Sequence, residues 1–326
     1  MRAPAFWSKN ANPVPGLLLA PLGWLYGLGT GLRLSFSSGW SSPCPIICVG
    51  NLTAGGAGKT PVVMNLAARL PTAHVLSRGY GGWEAGPLKV MPGEHTASQV
   101  GDEPLLISNA APTWVAGNRE AGCRAALRDG AGIIILDDGF QDPSIVKNLS
   151  LVVVDGEFGF GNGHLIPAGP LRETVSKGLA RADAVVIIGE DTTGITDQVA
   201  GRCPVLKAML VPEKSETSNT SGNWHGKKVL AFAGIGRPEK FFQTLRDLGC
   251  DISESVPFAD HQPYSETVLN DLKQRAVASN ATLVTTEKDL VRIPEKLRQG
   301  IEAIRVKLQW DDESQINALL EKHQIR

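Results

Sequence analysis

The sequence predicts a doubly wound, mostly parallel α/β sheet, preceded by an apolar helix and followed by a second, smaller α/β domain. Three observations carry this reading. Short apolar runs alternate with helical stretches from residue 46 to residue 189, the run Ile133-Ile134-Ile135-Leu136 is continuously apolar, and residues 16–32 bear no charge. Alternating strands and helices build a parallel sheet covered on both faces, and a strand buried on both faces shows no polar alternation. The 326 residues suffice for two domains of ordinary size, and a hydrophobic content of 42% supports packed cores.

Residues 46–49 read as the first strand and 61–70 as an amphipathic helix. Residues 74–76, 114–116, 132–136, 151–155 and 184–189 follow as strands. Residues 213–226 turn polar, rich in Ser, Thr, Asn and Glu, and read as a connection. Beyond it, 228–233 and 281–285 read as strands and 238–248 and 314–323 as helices. The expected division is an N-terminal hydrophobic helix over 1–36, a core domain over 37–225 and a smaller α/β domain over 226–326.

The uncharged stretch 16–32 contains Leu17, Leu18, Leu19, Leu22, Trp24, Leu25, Tyr26 and Leu28, with Lys9 before it and Arg33 after. It is short for a membrane span, and Pro21 with Gly23, Gly27, Gly29 and Gly31 weakens the helix. A signal peptide shares the layout but lacks a clear small-residue cleavage site. Two readings remain, a core helix packed on the sheet and an interfacial helix whose Trp and Tyr suit the headgroup zone.

A formal charge of −1 gives no global field toward nucleic acid, so any anion site must be local. Five cysteines, none in a C-x-x-C pair, argue against a disulfide framework and a zinc site and fit a reducing cytoplasm.

Residues 50–60, Gly-Asn-Leu-Thr-Ala-Gly-Gly-Ala-Gly-Lys-Thr, lie between the first strand and the helix. Strand, glycine-rich turn and a helix opening on Gly-Lys-Thr make a phosphate cradle and a P-loop NTPase-like domain. In it Thr53, Gly55, Gly56, Ala57, Gly58, Lys59 and Thr60 surround a nucleoside triphosphate. Lys59 reaches the β/γ-phosphates and the Thr60 hydroxyl is placed for Mg²⁺. The strict pattern has glycine where this chain has Thr53.

Asp137 and Asp138 end the apolar strand 132–136, where doubly wound sheets place ligands, and are candidates for Mg²⁺. Gly101-Asp102-Glu103-Pro104 opens a helix. Its acids either complement the helix dipole or face the triphosphate as base or metal ligand. Arg78, Arg119 and Arg172 sit in loops where a guanidinium can grip phosphate. His261, between Asp260 and Gln262-Pro263, is able to orient a group or relay a proton, and Thr285-Thr286-Glu287-Lys288-Asp289 follows a strand.

Taken in order, Gly-Asn-Leu-Thr-Ala-Gly-Gly-Ala-Gly-Lys-Thr-Pro, Ser-Arg-Gly-Tyr-Gly-Gly, Gly-Asp-Glu-Pro, Asp-Asp-Gly-Phe-Gln, Leu-Ile-Pro-Ala-Gly-Pro-Leu-Arg-Glu, Phe-Ala-Asp-His and Thr-Thr-Glu-Lys-Asp resemble the tetraacyldisaccharide 4′-kinase family. The set runs from about residue 48 to residue 290. The family shares a non-glycine residue at the position of Thr53. The resemblance implies ATP- and Mg²⁺-dependent phosphorylation of the 4′-hydroxyl of an acylated glucosamine disaccharide 1-phosphate. It places the chain at the cytoplasmic face of a Gram-negative inner membrane, peripheral or monotopic, and favours the interfacial reading of residues 16–32. It implies no nucleic acid and no obligate protein partner.

Carried over by motif, Asp102 becomes the base, paired with His261. Lys59 and Thr60 serve the phosphates and Mg²⁺, Glu103, Asp137 and Asp138 supply metal contacts, and Gln141 assists catalysis. Arg119 and Arg172 contact phosphates. Many relatives carry histidine where this chain has Asp142 and Gln262, so a second histidine has no role here. Two other classes remain open. A switch NTPase is weakened by the absence of Asn-Lys-x-Asp, since Glu287-Lys288-Asp289-Leu290 fails that pattern at both ends. A soluble small-molecule kinase would act on deacylated sugar.

Overall fold

The computed structural model describes residues 4–9, 11–35, 38–213 and 224–326. Of the expected connection over 213–226, residues 214–223 lie outside the described residues, as do 1–3, 10 and 36 of the N-terminal segment.

Strand β1 (Ile46–Gly50) sits mid-sheet because its residues are buried on both faces. Then come β2 (Ala73–Ser77), β3 (Leu88–Lys89), β4 (Thr113–Val115), β5 (Ile133–Asp137), β6 (Leu149–Asp155), β7 (Ala184–Ile188) and β8 (Val205–Pro212). After residue 224 follow β9 (Lys228–Ala233), β10 (Asp251–Pro257), β11 (Thr282–Thr286), β12 (Ile301–Ile304) and β13 (Val306–Trp310). The large sheet has the order β13-β8-β7-β6-β1-β5-β2-β4-β3, and the small one β10-β9-β11-β12. In the large sheet only the edge strands β3 and β13 pair antiparallel. The small sheet is parallel throughout.

Successive residues of a strand point to opposite faces, so the continuous apolar runs feed two cores. On one face Ile47, Val49, Ile133 and Ile135 pack under Val62, Val63 and Leu66 of the helix Lys59–Arg69. On the other, Ile46, Cys48, Ile134 and Leu136 pack with Cys123 and Ala126 of the helix Arg119–Arg128. The small sheet is covered likewise, by Phe241, Phe242 and Leu245 on one side and by Leu269, Leu272 and Ala276 on the other.

The smaller unit ends earlier than expected. Residues 306–326 return to the large sheet. Strand β13 pairs with β8, and Ile316, Leu319, Leu320 and Ile325 complete the core beneath the helix Lys59–Arg69. Apolar surface on the helix Glu313–Lys322 is buried there, which is why the chain crosses back.

The apolar N-terminal helix runs Val14–Ser35 and is not a core helix, since only 6% of its most apolar window is buried. It docks by its glycines. A Cβ on Gly23 would lie 3.0 Å from the Leu165 carbonyl oxygen, and one on Gly27 would lie 2.5 Å from Leu165 Cδ1. Leu17, Leu18, Leu22, Trp24, Leu25 and Leu28 face outward.

Because Ile316 is fully buried in the core of the large sheet, Ile316→Ala is expected to lower unfolding stability by about 2–5 kcal/mol. Urea unfolding checks this. If residues 306–326 stabilised only the small unit, the transition of the unit built on the large sheet would not move.

Candidate active site

The phosphate cradle forms because its backbone has nowhere else to bond. Gly58 caps the helix Lys59–Arg69 in a left-handed conformation (φ 86°) that glycine adopts without cost, and no side chain caps that N-terminus. Among the described residues, the N–H groups of Gly55, Gly56, Ala57 and Gly58 have no hydrogen-bond acceptor. Free donors on a turn at a helix N-terminus make an anion site. Thr53 is tolerated in place of glycine because it is extended and buried, in an antiparallel bridge with Leu171. Ala54 N donates to Pro170 O (2.7 Å) and Arg172 N to Leu52 O (2.8 Å), so the loop ending in Arg172 clasps the cradle. Asn51 braces the turn from inside, donating to Thr53 O (2.8 Å) and accepting from Lys59 Nζ (3.3 Å).

Strand β5 delivers the acids beside this turn, since Val49 stands opposite Asp137 in the β1–β5 ladder. Asp137 is buried, with Oδ2 accepting from Ser77 Oγ (3.0 Å) and Oδ1 left without a partner. Burial, then the negative charges of Glu103 and Asp138, push its carboxyl up to about 7. Asp138 adopts a left-handed conformation (φ 52°). Burial alone would raise its carboxyl, but Lys59 and Arg172 hold it below the usual carboxylate range. Arg172 Nη1 lies 2.9 Å and 3.0 Å from its two oxygens and Lys59 Nζ lies 3.6 Å from Oδ1.

The arginines divide. Arg119, expected to contact phosphate, is instead bound internally. It is 3% exposed and donates to Leu76 O (3.3 Å), Asp137 O (3.0 Å) and Asp138 O (3.0 Å), which fixes the turn carrying the acids. Arg172 stands on Asp138. Arg78 is exposed at the end of β2 and makes no hydrogen bond or ion pair among the described residues. Gln141 ties the parts together, donating to Asn51 O (2.8 Å) and Glu173 Oε1 (3.1 Å) while its own oxygen faces Arg172 (3.4 Å).

Asp102 opens the helix Asp102–Ile107, which packs against the helix Lys59–Arg69. Oδ1 accepts from Glu103 N (2.9 Å), while Oδ2 lies 2.9 Å from Nδ1 of His261 in the smaller unit. Burial works against the ionised form of Asp102, but the hydrogen bond to His261 and the charges of Lys288 and Arg292 hold its carboxyl below the usual range. His261 has φ 58°, its N–H donates to Gly234 O (3.2 Å), and Tyr80 meets its ring edge-on at 5.8 Å between centroids. Glu103 is gripped by Lys288 at 3.0 Å.

Sequence reasoning missed Asn51, Ser77, Glu173 and Arg292. Glu173, directly after Arg172, is 3% exposed and holds both Gln141 and Arg181. Its position inside the Leu-Arg-Glu motif was the signal that pointed to it. Ser77 opens the Ser-Arg-Gly-Tyr-Gly-Gly motif but acts on Asp137, distant in sequence, and Arg292 lies outside the motifs that carry the family resemblance.

Residues 16–324 match the family model described as Tetraacyldisaccharide-1-P 4′-kinase. The chain is 52% identical to the tetraacyldisaccharide 4′-kinase of Rhodospirillum centenum, over 98% of this chain and 96% of that one. It is 47% identical to that of Paramagnetospirillum magneticum over the full length of both. The crystal structure of LpxK from Aquifex aeolicus in complex with ATP has a TM-score of 0.76, is 26% identical, and aligns over 94% of this chain and 99% of that one. By the match over residues 16–324 and these identities, the chain belongs to the tetraacyldisaccharide-1-P 4′-kinase family.

Proposed function

We propose that this chain transfers the γ-phosphoryl group of ATP to the 4′-hydroxyl of a tetraacylated glucosamine disaccharide 1-phosphate in lipid A biosynthesis. The observation that carries this reading is the meeting of Asp102 with His261 across the two units, 2.9 Å apart, on a helix packed against the cradle helix. A switch NTPase needs only to position water. A carboxylate–histidine pair contributed by both units suits deprotonation of an alcohol once the units close over bound nucleotide.

In this reading the free N–H groups of residues 55–58 take the phosphate oxygens, and Lys59 neutralises charge that builds on the transferred group. Asp102 accepts the proton of the 4′-hydroxyl at Oδ2, and His261 orients that carboxylate. Arg172 shares Asp138 with Lys59 and so stands beside the cradle, and exposed Arg78 is the remaining loop arginine for an anionic group of the acceptor.

The residues fit a hard cation. Asp137 Oδ1 is an orphaned buried carboxylate oxygen, whereas both oxygens of Asp138 are taken by Arg172. Mg²⁺ binds through one or two carboxylates plus phosphates and water, which is what these side chains would offer. Asp137 would be its principal acid, with Thr60 and Asp138 beside it and Glu103 shared with Lys288. Mg²⁺, when bound, supplies charge neutralisation at the phosphates.

The exposed apolar face of the helix Val14–Ser35 supports peripheral or monotopic attachment to the cytoplasmic face of the inner membrane, where the acylated substrate lies.

Asp102→Asn is expected to lower kcat on the order of 10²–10⁴-fold while ATP still binds. Transfer from labelled ATP to lipid disaccharide in mixed micelles, with calorimetry for ATP, tests both halves, and unchanged turnover would remove Asp102 from its role.

Asp137 gives a pH test. Its folded pKa of about 7 lies above the ordinary carboxylate value of 3.8, so the folded state binds the extra proton between them and stability falls as pH rises through that window. Without Mg²⁺, Asp137→Asn should therefore melt higher than the parent at pH 8, and the two should converge near pH 4. Identical melting at pH 8 contradicts the orphaned charge.

Leu18 and Leu25 are 77% and 65% exposed, so Leu18→Asp with Leu25→Asp is expected to reduce co-flotation with anionic vesicles by about tenfold or more. Unaltered flotation would place membrane contact elsewhere.

A further inference from the structure

Two cations of the smaller unit point away from their own sheet. Lys288 and Arg292 lie on the helix Glu287–Arg292, which packs against the helix Asp102–Ile107 of the nucleotide-binding unit. Lys288 Nζ lies 3.0 Å from Glu103 Oε1 and 3.9 Å from Asp102 Oδ2, and Arg292 Nε lies 3.4 Å from Asp102 Oδ2. Asp102 is 4% exposed and the Arg292 side chain 6%, so this contact is shielded from water and salt.

Arg292 is locked from behind. Its Nη2 donates to Gly234 O (2.7 Å) and pairs with Asp289 Oδ1 (2.8 Å), and its Nη1 donates to Gln262 O (3.3 Å). Fully buried Asp289 is in turn fixed by Gly234 N (3.0 Å), the Tyr264 hydroxyl (2.6 Å) and the Thr286 hydroxyl (2.6 Å). Gly234 O also accepts from His261 N. One rigid guanidinium therefore touches the carboxylate of Asp102, the carbonyl after His261, and the carbonyl that anchors the His261 backbone. A planar fork with several donors is suited to this, and a single ammonium is not. A buried ion pair is an inefficient way to gain stability alone, because desolvation offsets most of the attraction.

We propose that Arg292 is a positioning residue for phosphoryl transfer: by bridging Asp102 on one unit and the His261 loop on the other it sets the geometry of that pair, with Lys288 on Glu103 as a second tie between the units. This rests on Asp102 and His261 being the reactive pair. Arg292 touches no reacting atom and acts through Asp102. The motif Thr285-Thr286-Glu287-Lys288-Asp289 thereby gains a role, in which Asp289 aims Arg292 and Lys288 holds the neighbouring helix.

The test is kcat, KM and ATP affinity of the full chain with Arg292→Gln, Arg292→Lys, Asp102→Asn and the double variant Arg292→Gln/Asp102→Asn, each first checked for a parental melting transition above the assay temperature. Arg292→Gln is expected to lower kcat by about 10–100-fold, the scale of a misplacement near 1 Å, with calorimetric ATP affinity within about threefold of the parent. Arg292→Lys is expected to recover part of kcat. In the Asp102→Asn background, Arg292→Gln should cost less than about threefold more, because its route is already cut. A kcat within twofold of the parent for Arg292→Gln overturns the proposal, as does an undiminished loss in the Asp102→Asn background. A defective Asp102→Asn beside a normal Arg292→Gln sinks the positioning role and leaves the base reading standing. A normal Asp102→Asn beside a defective Arg292→Gln sinks both. Should Arg292→Gln fail to fold, the kcat loss and retained ATP affinity of Arg292→Lys decide in the same sense.

Discussion

The register of β1 against β5 is the constraint on which the site depends. Val49 lies opposite Asp137, so the turn starting at Gly50 and the acid pair leave the sheet side by side. A slip of one residue would send each strand's apolar set to the other face, and both faces are core. The register is therefore held by burial along the whole strand, and the chemistry at its end inherits that precision. Gly50 must be bare because a Cβ there would lie 2.4 Å from Phe140 Cβ. Turn and acid segment consequently pack as one body, and the bridge from Thr53 to Leu171 closes it from above.

Within that body most of the cations hold the protein's own groups. Arg119 is committed to the carbonyls of Leu76, Asp137 and Asp138, and Arg172 to both oxygens of Asp138. Fixing donors before a ligand arrives avoids reorganisation when charge develops in the transition state. The arrangement is unbalanced at one atom, Asp137 Oδ1, whose carboxyl is pushed up to about 7 without a partner. Buried polar atoms are normally satisfied, so this orphaned oxygen stands out beside a turn whose N–H groups are also free.

The fold was legible wherever burial was two-sided. Strands β1, β5 and β7 read as unbroken apolar runs and the structure has them there. Strand β8 mixes buried and exposed residues and β10 is mostly exposed, so hydrophobic patterning was too faint to reveal them, while β13 alternates cleanly over only five residues, a signal that was present but not read as a strand. The return of residues 306–326 to the large sheet is a tertiary event, driven by surface that only exists once the helix Lys59–Arg69 has docked. The N-terminal helix shows the same limit: its composition allowed core or interface, and only the glycine contacts with Leu165 tell which face turns inward.

For the site, the cradle was readable because its chemistry is contiguous. Asp102 and its pairing with His261 were readable only through the family motif, since the partner is 159 positions away and a lone acid at a helix start equally suits a cap. Local and long-range pairing together hold Asp142 and Gln262. Asp142 accepts from Ser144 N and Oγ and faces Arg119 at 3.4 Å, so it braces the same arginine that holds the acid turn. Gln262 accepts from Ala259 N through its side chain and from Arg292 through its carbonyl. Gln262 thus meets Arg292 through a main-chain carbonyl, which any residue can provide. The link between the two units is made by side chains, Arg292 and His261 on Asp102 and Lys288 on Glu103, and the Gln262 carbonyl holds Arg292 within the smaller unit.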